Sequence, residues 1–341
     1  RAHQHRRLMR AVVLVGGFGT RLRPLTATVP KPMLPVGHEP MIARLVGRLG
    51  RGGVTEVVLA LGFRPEPFLE AFPDGYCGDV ALTYAVEPEP LDTAGAIKFA
   101  AEFAGIDDTF VVANGDVMTD LDVAGLVAAH RAFRAEATLH LIGVDDPSAF
   151  GVVDLADDGA VRAFVEKPAP GTEPSNLINA GTYVFEPSVL DRIPAATKVS
   201  VERDTFQRVV ADGGLYGLAT DDYWIDAGVP ALYRSANLDL LDGKRRTEHC
   251  EAIAPGAEVA EGATITHSII GSGAHVAGGA TVVDSVLLPG ASIGADAVVE
   301  ESLVMGAVGA GAVVRDAMVG AEATVAAGDS LISAAAPSPD S

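Results

Sequence analysis

Five tetrads of the form Gly-Ala-x-aliphatic recur late in the chain: Gly256-Ala-Glu-Val259, Gly262-Ala-Thr-Ile265, Gly273-Ala-His-Val276, Gly279-Ala-Thr-Val282 and Gly290-Ala-Ser-Ile293. Their first residues lie 6, 11, 6 and 11 apart, a period of 17, and Ser268, Ser285 and Ser302 keep the same interval. Small residues at tight corners with one aliphatic per short strand predict a left-handed parallel β-helix of hexapeptide-type repeats. In such a fold each coil buries its aliphatics against the next. About four coils are expected over residues 255–333. The pattern loosens after Gly306, as a terminal coil would, and Ala334–Ser341 reads as a disordered tail.

The part before the repeat has a different grammar. Ala11-Val-Val-Leu-Val15 is a continuous apolar run ending in glycines, as a strand buried on both faces should be. Ile42, Leu45, Val46 and Leu49 fall on one helical face, and Gly52-Gly53 ends that helix. Further strands are expected at Val57–Leu61, Leu82–Val86, Phe110–Ala113 and Thr138–Val144, with helices near 94–104 and 122–134. This alternation predicts a Rossmann-like α/β domain over 9–241, with a mostly parallel sheet and helices on both faces. A linker should follow at 242–254. Ligands of such sheets bind at the carboxyl ends of the strands.

Composition removes several alternatives. The 341 residues suit two domains, and 48% apolar content excludes wholesale disorder. A net charge of −20 argues against a nucleic-acid or anionic-membrane partner, since both need a basic face. Two cysteines, Cys77 and Cys250, cannot build a disulfide framework, which points to a reducing, cytoplasmic setting. No apolar run approaches the roughly 20 residues that span a bilayer. Residues 1–8 are read as flexible sequence ahead of Met9, without a signal-peptide cleavage site.

Chemistry concentrates in Leu14-Val-Gly-Gly-Phe-Gly-Thr-Arg-Leu-Arg-Pro-Leu-Thr26 and Pro30-Lys-Pro-Met-Leu-Pro35. Gly16, Gly17 and Gly19, just after a buried strand, let backbone N–H groups approach a phosphate or a base. Arg21, Arg23 and Lys31 gather positive charge on an acidic chain, which suits a polyphosphate. The segment fits neither the P-loop nor the dinucleotide glycine pattern. By itself, a glycine turn with solvated arginines would explain it equally well.

These residues resemble the signature of the nucleotide-sugar pyrophosphorylases, the sugar-1-phosphate nucleotidylyltransferases, and within them the mannose-1-phosphate guanylyltransferases most of all. Further matches keep the family's order: Glu87-Pro-Glu-Pro-Leu-Asp-Thr-Ala-Gly95, Asn114-Gly-Asp116, Phe150-Gly-Val-Val153, Phe164-Val-Glu-Lys-Pro168, Asn179-Ala-Gly181 and Trp224-Ile-Asp-Ala-Gly228. The resemblance covers about residues 9–241 and implies a role for each motif. Asp116 and Asp226 would hold Mg²⁺, a hard cation suited to carboxylates and phosphate oxygens. Arg21 and Lys31 would neutralise the triphosphate and the departing pyrophosphate. Leu14, Gly16, Gly17, Gly19, Thr20, Arg21, Glu87, Pro90 and Asp92 would line the nucleotide. Lys167 would contact the sugar phosphate, with Glu166, Asn179 and the amide of Gly151 on the sugar. Singly, Asn-Gly-Asp reads as a turn, and Glu166–Lys167 as an exposed ion pair worth roughly 0–1 kcal/mol.

The implied reaction is attack of a sugar-1-phosphate oxygen on the α-phosphorus of a nucleoside triphosphate, with pyrophosphate released. It needs alignment and charge neutralisation rather than a nucleophilic side chain. Glu87 stands where many thymidylyl- and uridylyl-transferring relatives carry glutamine. A carboxylate only accepts hydrogen bonds, which suits the N1–H and N2–H₂ donors of guanine and therefore GTP. The usual Pro-Leu-Gly-Thr has become Pro90-Leu-Asp-Thr93. Either only the main chain matters at Asp92, or the acceptor is altered to a deoxy sugar, heptose or cyclitol phosphate. Two other classes compete: a non-catalytic regulatory relative, and an acyltransferase using His267 or His275 of the β-helix. Retention of all the charged motif residues disfavours the first. The few coils and the lack of a long inserted loop disfavour the second, leaving both histidines as exposed coil residues. The β-helix is expected to organise a homo-oligomer.

Overall fold

The computed structural model describes residues 9–17, 19–62 and 65–338. The chain divides into two compact units. One holds the first strand and everything from Ala43 to Trp224; the other holds the loop leading up to Ile42 and everything from Ile225 onward.

The first unit is built on ten strands: β1 (Met9–Leu14), β2 (Val54–Leu61), β3 (Tyr76–Cys77), β4 (Val80–Val86), β5 (Phe110–Asn114), β6 (Ala137–Gly143), β7 (Gly151–Leu155), β8 (Val161–Glu166), β9 (Leu177–Phe185) and β10 (Leu215–Thr220). Their order is β8-β7-β9-β5-β1-β2-β4-β3, with β6 between β9 and β10. The alternating strands and helices of the sequence become the parallel run β5-β1-β2-β4. Val12, Val58, Val112 and Ala85 on these strands are all buried in the large apolar cluster.

The sheet is more mixed than strict alternation implies. β9 runs antiparallel to β5, β6 and β7, and β7 runs antiparallel to β8. For β7 and β8 the reason is local: only residues 156–160 join them, and so short a connection permits only antiparallel pairing. The four longest helices are α1 (Met41–Arg51), α2 (Asp92–Phe103), α3 (Val123–Phe133) and α4 (Pro230–Leu241). None is long and apolar enough to cross a membrane.

In the second unit the repeat folds into three five-stranded parallel sheets, a left-handed parallel β-helix of five turns. Val276, Val282, Leu287, Ile293, Val299 and Val304 point into its core. The serine interval has a structural cause. Ser268, Ser285 and Ser302 are buried, and each hydroxyl donates to the carbonyl two residues back. Each also accepts the amide of the equivalent residue one coil on, so the serines rivet successive coils together.

One irregularity of this unit has a local cause, and one expectation about it needs correction. The pattern loosens after Gly306 because one corner is shortened. Leu287 pairs with Val304 and Ser292 with Ala307, so the corner at Leu288–Ala291 is replaced by the two residues Met305 and Gly306. One coil is thereby shortened to 15 residues, and the 17-residue interval then resumes. The tail is also shorter than expected: Ala335–Ala336 form a strand on Met318–Val319 because apolar alanines can complete a fifth coil. Residues 1–8 and 339–341, both assigned to flexible ends, lie outside the described residues.

Candidate active site

The register of the first unit brings its motifs to one edge. Leu14 pairs with both Ala60 and Asn114, and Leu61 pairs with Val86, so β1, β2, β4 and β5 end together. Gly16, Gly62, Glu87 and Asp116 emerge there. The strand ends are tied by Val15 N–H to Ala60 O, Glu87 N–H to Leu61 O, and Gly115 N–H to Leu14 O. Gly16 and Gly62 cross so closely that a Cβ on Gly16 would lie 3.1 Å from the Gly62 nitrogen.

Strand β9 continues the edge. A Cβ on Gly181, whose φ is +75°, would lie 2.7 Å from Asn114 Nδ2. Val152 pairs with Ile178, and Gly151 stands opposite Glu166. Gly151 has no room for a side chain, since a Cβ would strike the Phe164 ring and lie 3.0 Å from Glu166 Oε2. Lys167 follows at φ +48°, with its amide on Phe150 O. Its ammonium is exposed and 3.8 Å from Glu166 Oε1. Burial pushes the Glu166 carboxyl up, and neighbouring Glu202 adds to the shift, while Lys167 and Arg203 oppose it.

Asn179 is occupied within its own strand. Its Nδ2 donates to Tyr183 Oη at 2.9 Å and its Oδ1 accepts from Gly181 N–H at 3.1 Å. Each bond uses half of the amide's capacity, so one N–H and one lone pair remain for a ligand. Tyr183 is fully buried. Burial raises its pKa most, and the carboxylates of Glu202, Glu166 and Asp116 raise it further.

Glu87 is also buried and half committed. Its Oε2 accepts from Leu91 N–H at 2.9 Å, at the entry to α2. Burial raises its pKa, and the Leu91 bond works against the shift. Its other oxygen, Oε1, is not engaged by that bond. Asp92 occupies a left-handed position, φ +59°, and its Oδ1 accepts from the Thr93 amide at 2.8 Å. The family's glycine is therefore a conformational choice. Aspartate tolerates the same geometry because its short side chain bonds its own backbone.

The second unit holds the cationic loop. Gly19, at φ +59°, starts a turn in which Thr26 Oγ1 donates to Gly19 O at 2.8 Å. Tyr233 Oη donates to Pro35 O, and Asn237 Oδ1 accepts from Gly37 N–H at 2.8 Å, fastening the loop to α4. Buried Lys31 reaches within 4.0 Å of Asp226 Oδ1. Gly228 marks where the charges meet. A Cβ built on it would lie 2.7 Å from Asp226 Oδ1, 2.8 Å from Arg21 Nη2 and 3.1 Å from Lys31 Nζ.

Two cations and a carboxylate around a point left open by a glycine fit phosphate oxygens bridged to a hard metal ion. Among the described residues no group of three or more His, Cys, Asp and Glu side chains could hold a metal. The carboxylate of Asp226 is an oxygen donor of the kind that a hard cation such as Mg²⁺ takes, one or two at a time with phosphate oxygens and water.

The sequence matches the nucleotidyl transferase family over residues 10–243, more than half the chain. The chain belongs to that family. Residues 235–325 match the GlmU-like C-terminal hexapeptide family. The chain is 44% identical over 237 residues to the mannose-1-phosphate guanylyltransferase of Mycobacterium tuberculosis, covering 68% of this chain and 65% of that protein's length. It is 41% identical over 256 residues to the mannose-1-phosphate guanyltransferase of Schizosaccharomyces pombe, covering 73% and 69%. Among solved structures, HddC from Yersinia pseudotuberculosis complexed with GMP-PN is similar at a TM-score of 0.58 and 28% identity, covering 67% of this chain and 98% of that one.

Three features of the region escaped the sequence reading. Gly228 passed as the end of a motif. Thr93 and Glu202 are joined by a hydrogen bond across 109 residues. Only the Ser200-Val-Glu-Arg sequence hinted at Glu202, and it signals no more than a helix start.

Proposed function

We propose that the protein transfers a guanylyl group from GTP to a sugar-1-phosphate, mannose-1-phosphate by default, and releases pyrophosphate. The observation that carries this reading is the meeting of Arg21, Lys31 and Asp226 at the point left open by Gly228. The names of the curated relatives support the choice of substrates. Arg21 and Lys31 cancel phosphate charge, so that one anion can approach another. The backbone at Gly16, Gly17 and Gly19 receives the nucleotide, and Lys167 meets the acceptor phosphate. Gly151, Glu166 and Asn179 orient the sugar. Asp116 and Asp226 are the proposed Mg²⁺ ligands. An ion held by these carboxylates would supply positive charge to the phosphates.

One observation favours a second reading of the base. The Leu91 amide occupies one oxygen of Glu87, and the single acceptor left could meet the N3–H of the thymine or uracil of dTTP or UTP. A matrix of nucleoside triphosphates against hexose, deoxy-sugar, heptose and cyclitol 1-phosphates, read by pyrophosphate release, tests both readings. GTP with mannose-1-phosphate should turn over fastest, and Glu87→Gln should shift the ratio towards dTTP. No turnover with any pair would leave the regulatory reading in its place.

Assembly and setting belong to the same proposal. The strands Thr324–Val325, Ser330–Ile332 and Ala335–Ala336 close the β-helix with one edge each unpaired among the described strands, and Ile332 is exposed there. Such ends favour a homo-oligomer. A monomer by light scattering at micromolar concentration would contradict it. The two free cysteines suit a cytoplasmic location.

A further inference from the structure

We infer that Glu202 is a positioning residue, holding the base-side loop and the acceptor-side strand of the first unit in one arrangement; this rests on the function proposed above. Glu202 lies in a single π-type turn, Val201–Thr205. Irregular turns of this kind occur frequently at functional sites. Its Oε2 accepts two hydroxyl hydrogen bonds, from Thr93 Oγ1 at 3.0 Å and Ser200 Oγ at 2.8 Å. Thr93 Oγ1 in turn accepts from Val201 N–H at 2.8 Å, closing a ring.

The backbone repeats the connection. Val199 N–H donates to Leu91 O at 3.0 Å, and Ala94 N–H donates to Val199 O at 2.9 Å. Residues 199–202 thus grip the start of α2 directly after Glu87, Pro90 and Asp92. A Cβ on Gly95 would lie 2.7 Å from Thr197 O, so the grip is close. On the other side, Gln207 Nε2 donates both to Phe164 O in β8, at 3.0 Å, and to Glu202 O, at 3.2 Å. Strand β8 ends at Glu166. The turn around Glu202 is therefore a brace with the nucleobase loop on one flank and the sugar-reading strand on the other. A bond from a hydroxyl to an ionised carboxylate is stronger than one between neutral groups, which suits this position.

The test combines kinetics with amide hydrogen exchange on the full chain. Glu202→Ala should raise KM for the nucleotide and for the sugar phosphate together, by roughly 10-fold each, with a smaller effect on kcat. Glu202→Gln can still accept both hydroxyl bonds through its amide oxygen and should restore both KM values to within about threefold. Thr93→Val should raise the nucleotide KM, Thr93→Ser should not, and Glu202→Ala with Thr93→Val should be no worse than Glu202→Ala alone. Exchange at Thr93–Gly95 should quicken in Glu202→Ala and not in Glu202→Gln. Penalties that multiply in the double variant, a glutamine as damaging as alanine, or unchanged exchange at Thr93–Gly95 would each overturn the inference. Absence of turnover in the unsubstituted protein would refute the proposed function instead, and exchange would still decide the role of Glu202.

Discussion

Gly228→Ala separates the proposed chemistry from the fold. Gly228 is buried, and its φ lies outside the left-handed region, so alanine meets no backbone strain. The three atoms nearest the added methyl are all ends of charged side chains. At 2.7, 2.8 and 3.1 Å, the oxygen of Asp226 and the nitrogens of Arg21 and Lys31 fall short of the 3.4 Å at which ordinary contact begins. Each must retreat by between 0.3 and 0.7 Å. Groups that align phosphates lose about 100-fold in rate for a misplacement of about 1 Å, so a fall of roughly 10- to 100-fold in kcat/KM is expected. Stability should hold or rise by about 0.4–1 kcal/mol, because alanine restricts the unfolded chain. Pyrophosphate release and a denaturant titration on the same sample give both numbers. A variant of unchanged stability that keeps more than a third of the original kcat/KM would show that the open point above Gly228 is not where phosphates are held.

Three further outcomes follow from individual contacts. Ser285→Ala leaves the buried Ser302 amide without its acceptor and should cost about 1–3 kcal/mol in a denaturant titration, with no change in turnover. Asp92→Gly should keep or raise stability, whereas Asp92→Ala should lose about 1 kcal/mol at φ +59°. Unchanged acceptor preference in both variants would show that only the main chain matters there. His267 lies 2.5 Å from Asp284 Oδ1 through Nδ1 and 3.0 Å from Asp242 Oδ1 through Nε2; the Asp284 bond, with that to Asp242, raises its pKa above 6.5. Its contribution is therefore complete below pH 6.5 and is lost as pH rises through the higher folded value, an effect that Asp284→Asn should reduce in melting curves. Partial exposure keeps that effect within the roughly 1 kcal/mol of a surface pair.

Periodic features were legible in the sequence, and features that depend on one side chain meeting another were not. The 17-residue interval announced the coils because each aliphatic has to land above its predecessor. The loss of two residues at Met305-Gly306 interrupted that spacing without disturbing the stacking, so the pattern loosened in the sequence where the coils continue in the structure. The parallel strands were legible as continuous apolar runs. The antiparallel group at 151–185 showed itself only through its motifs, since half-buried strands such as Val161–Glu166 keep no clean alternation, with Ala163, Phe164 and Val165 in a row between Arg162 and Glu166. His267 is the exposed coil residue expected, and it also bridges two carboxylates, a contact that depends on where α4 ends.

The charged residues divide along the same line. Arg21, Lys31, Asp116, Glu166 and Lys167 were recognisable because each sits in a short motif with a fixed local partner, such as a glycine or a proline. Glu202 had no such setting. Its role depends on Thr93, which is distant in sequence, and on a π-type turn that leaves no periodic trace. Asp92 is the instructive intermediate. From the sequence, the aspartate in place of a glycine left two readings open, a main-chain role or an altered acceptor. Its φ of +59° and the bond from the Thr93 amide to one carboxylate oxygen give it a backbone role, against which any effect on the ligand has to be weighed. A substitution inside a binding motif is therefore evidence about the ligand only after the backbone conformation at that position has been accounted for. On that standard, Glu87, which is buried and takes no left-handed turn, is the better place to look for what this chain selects.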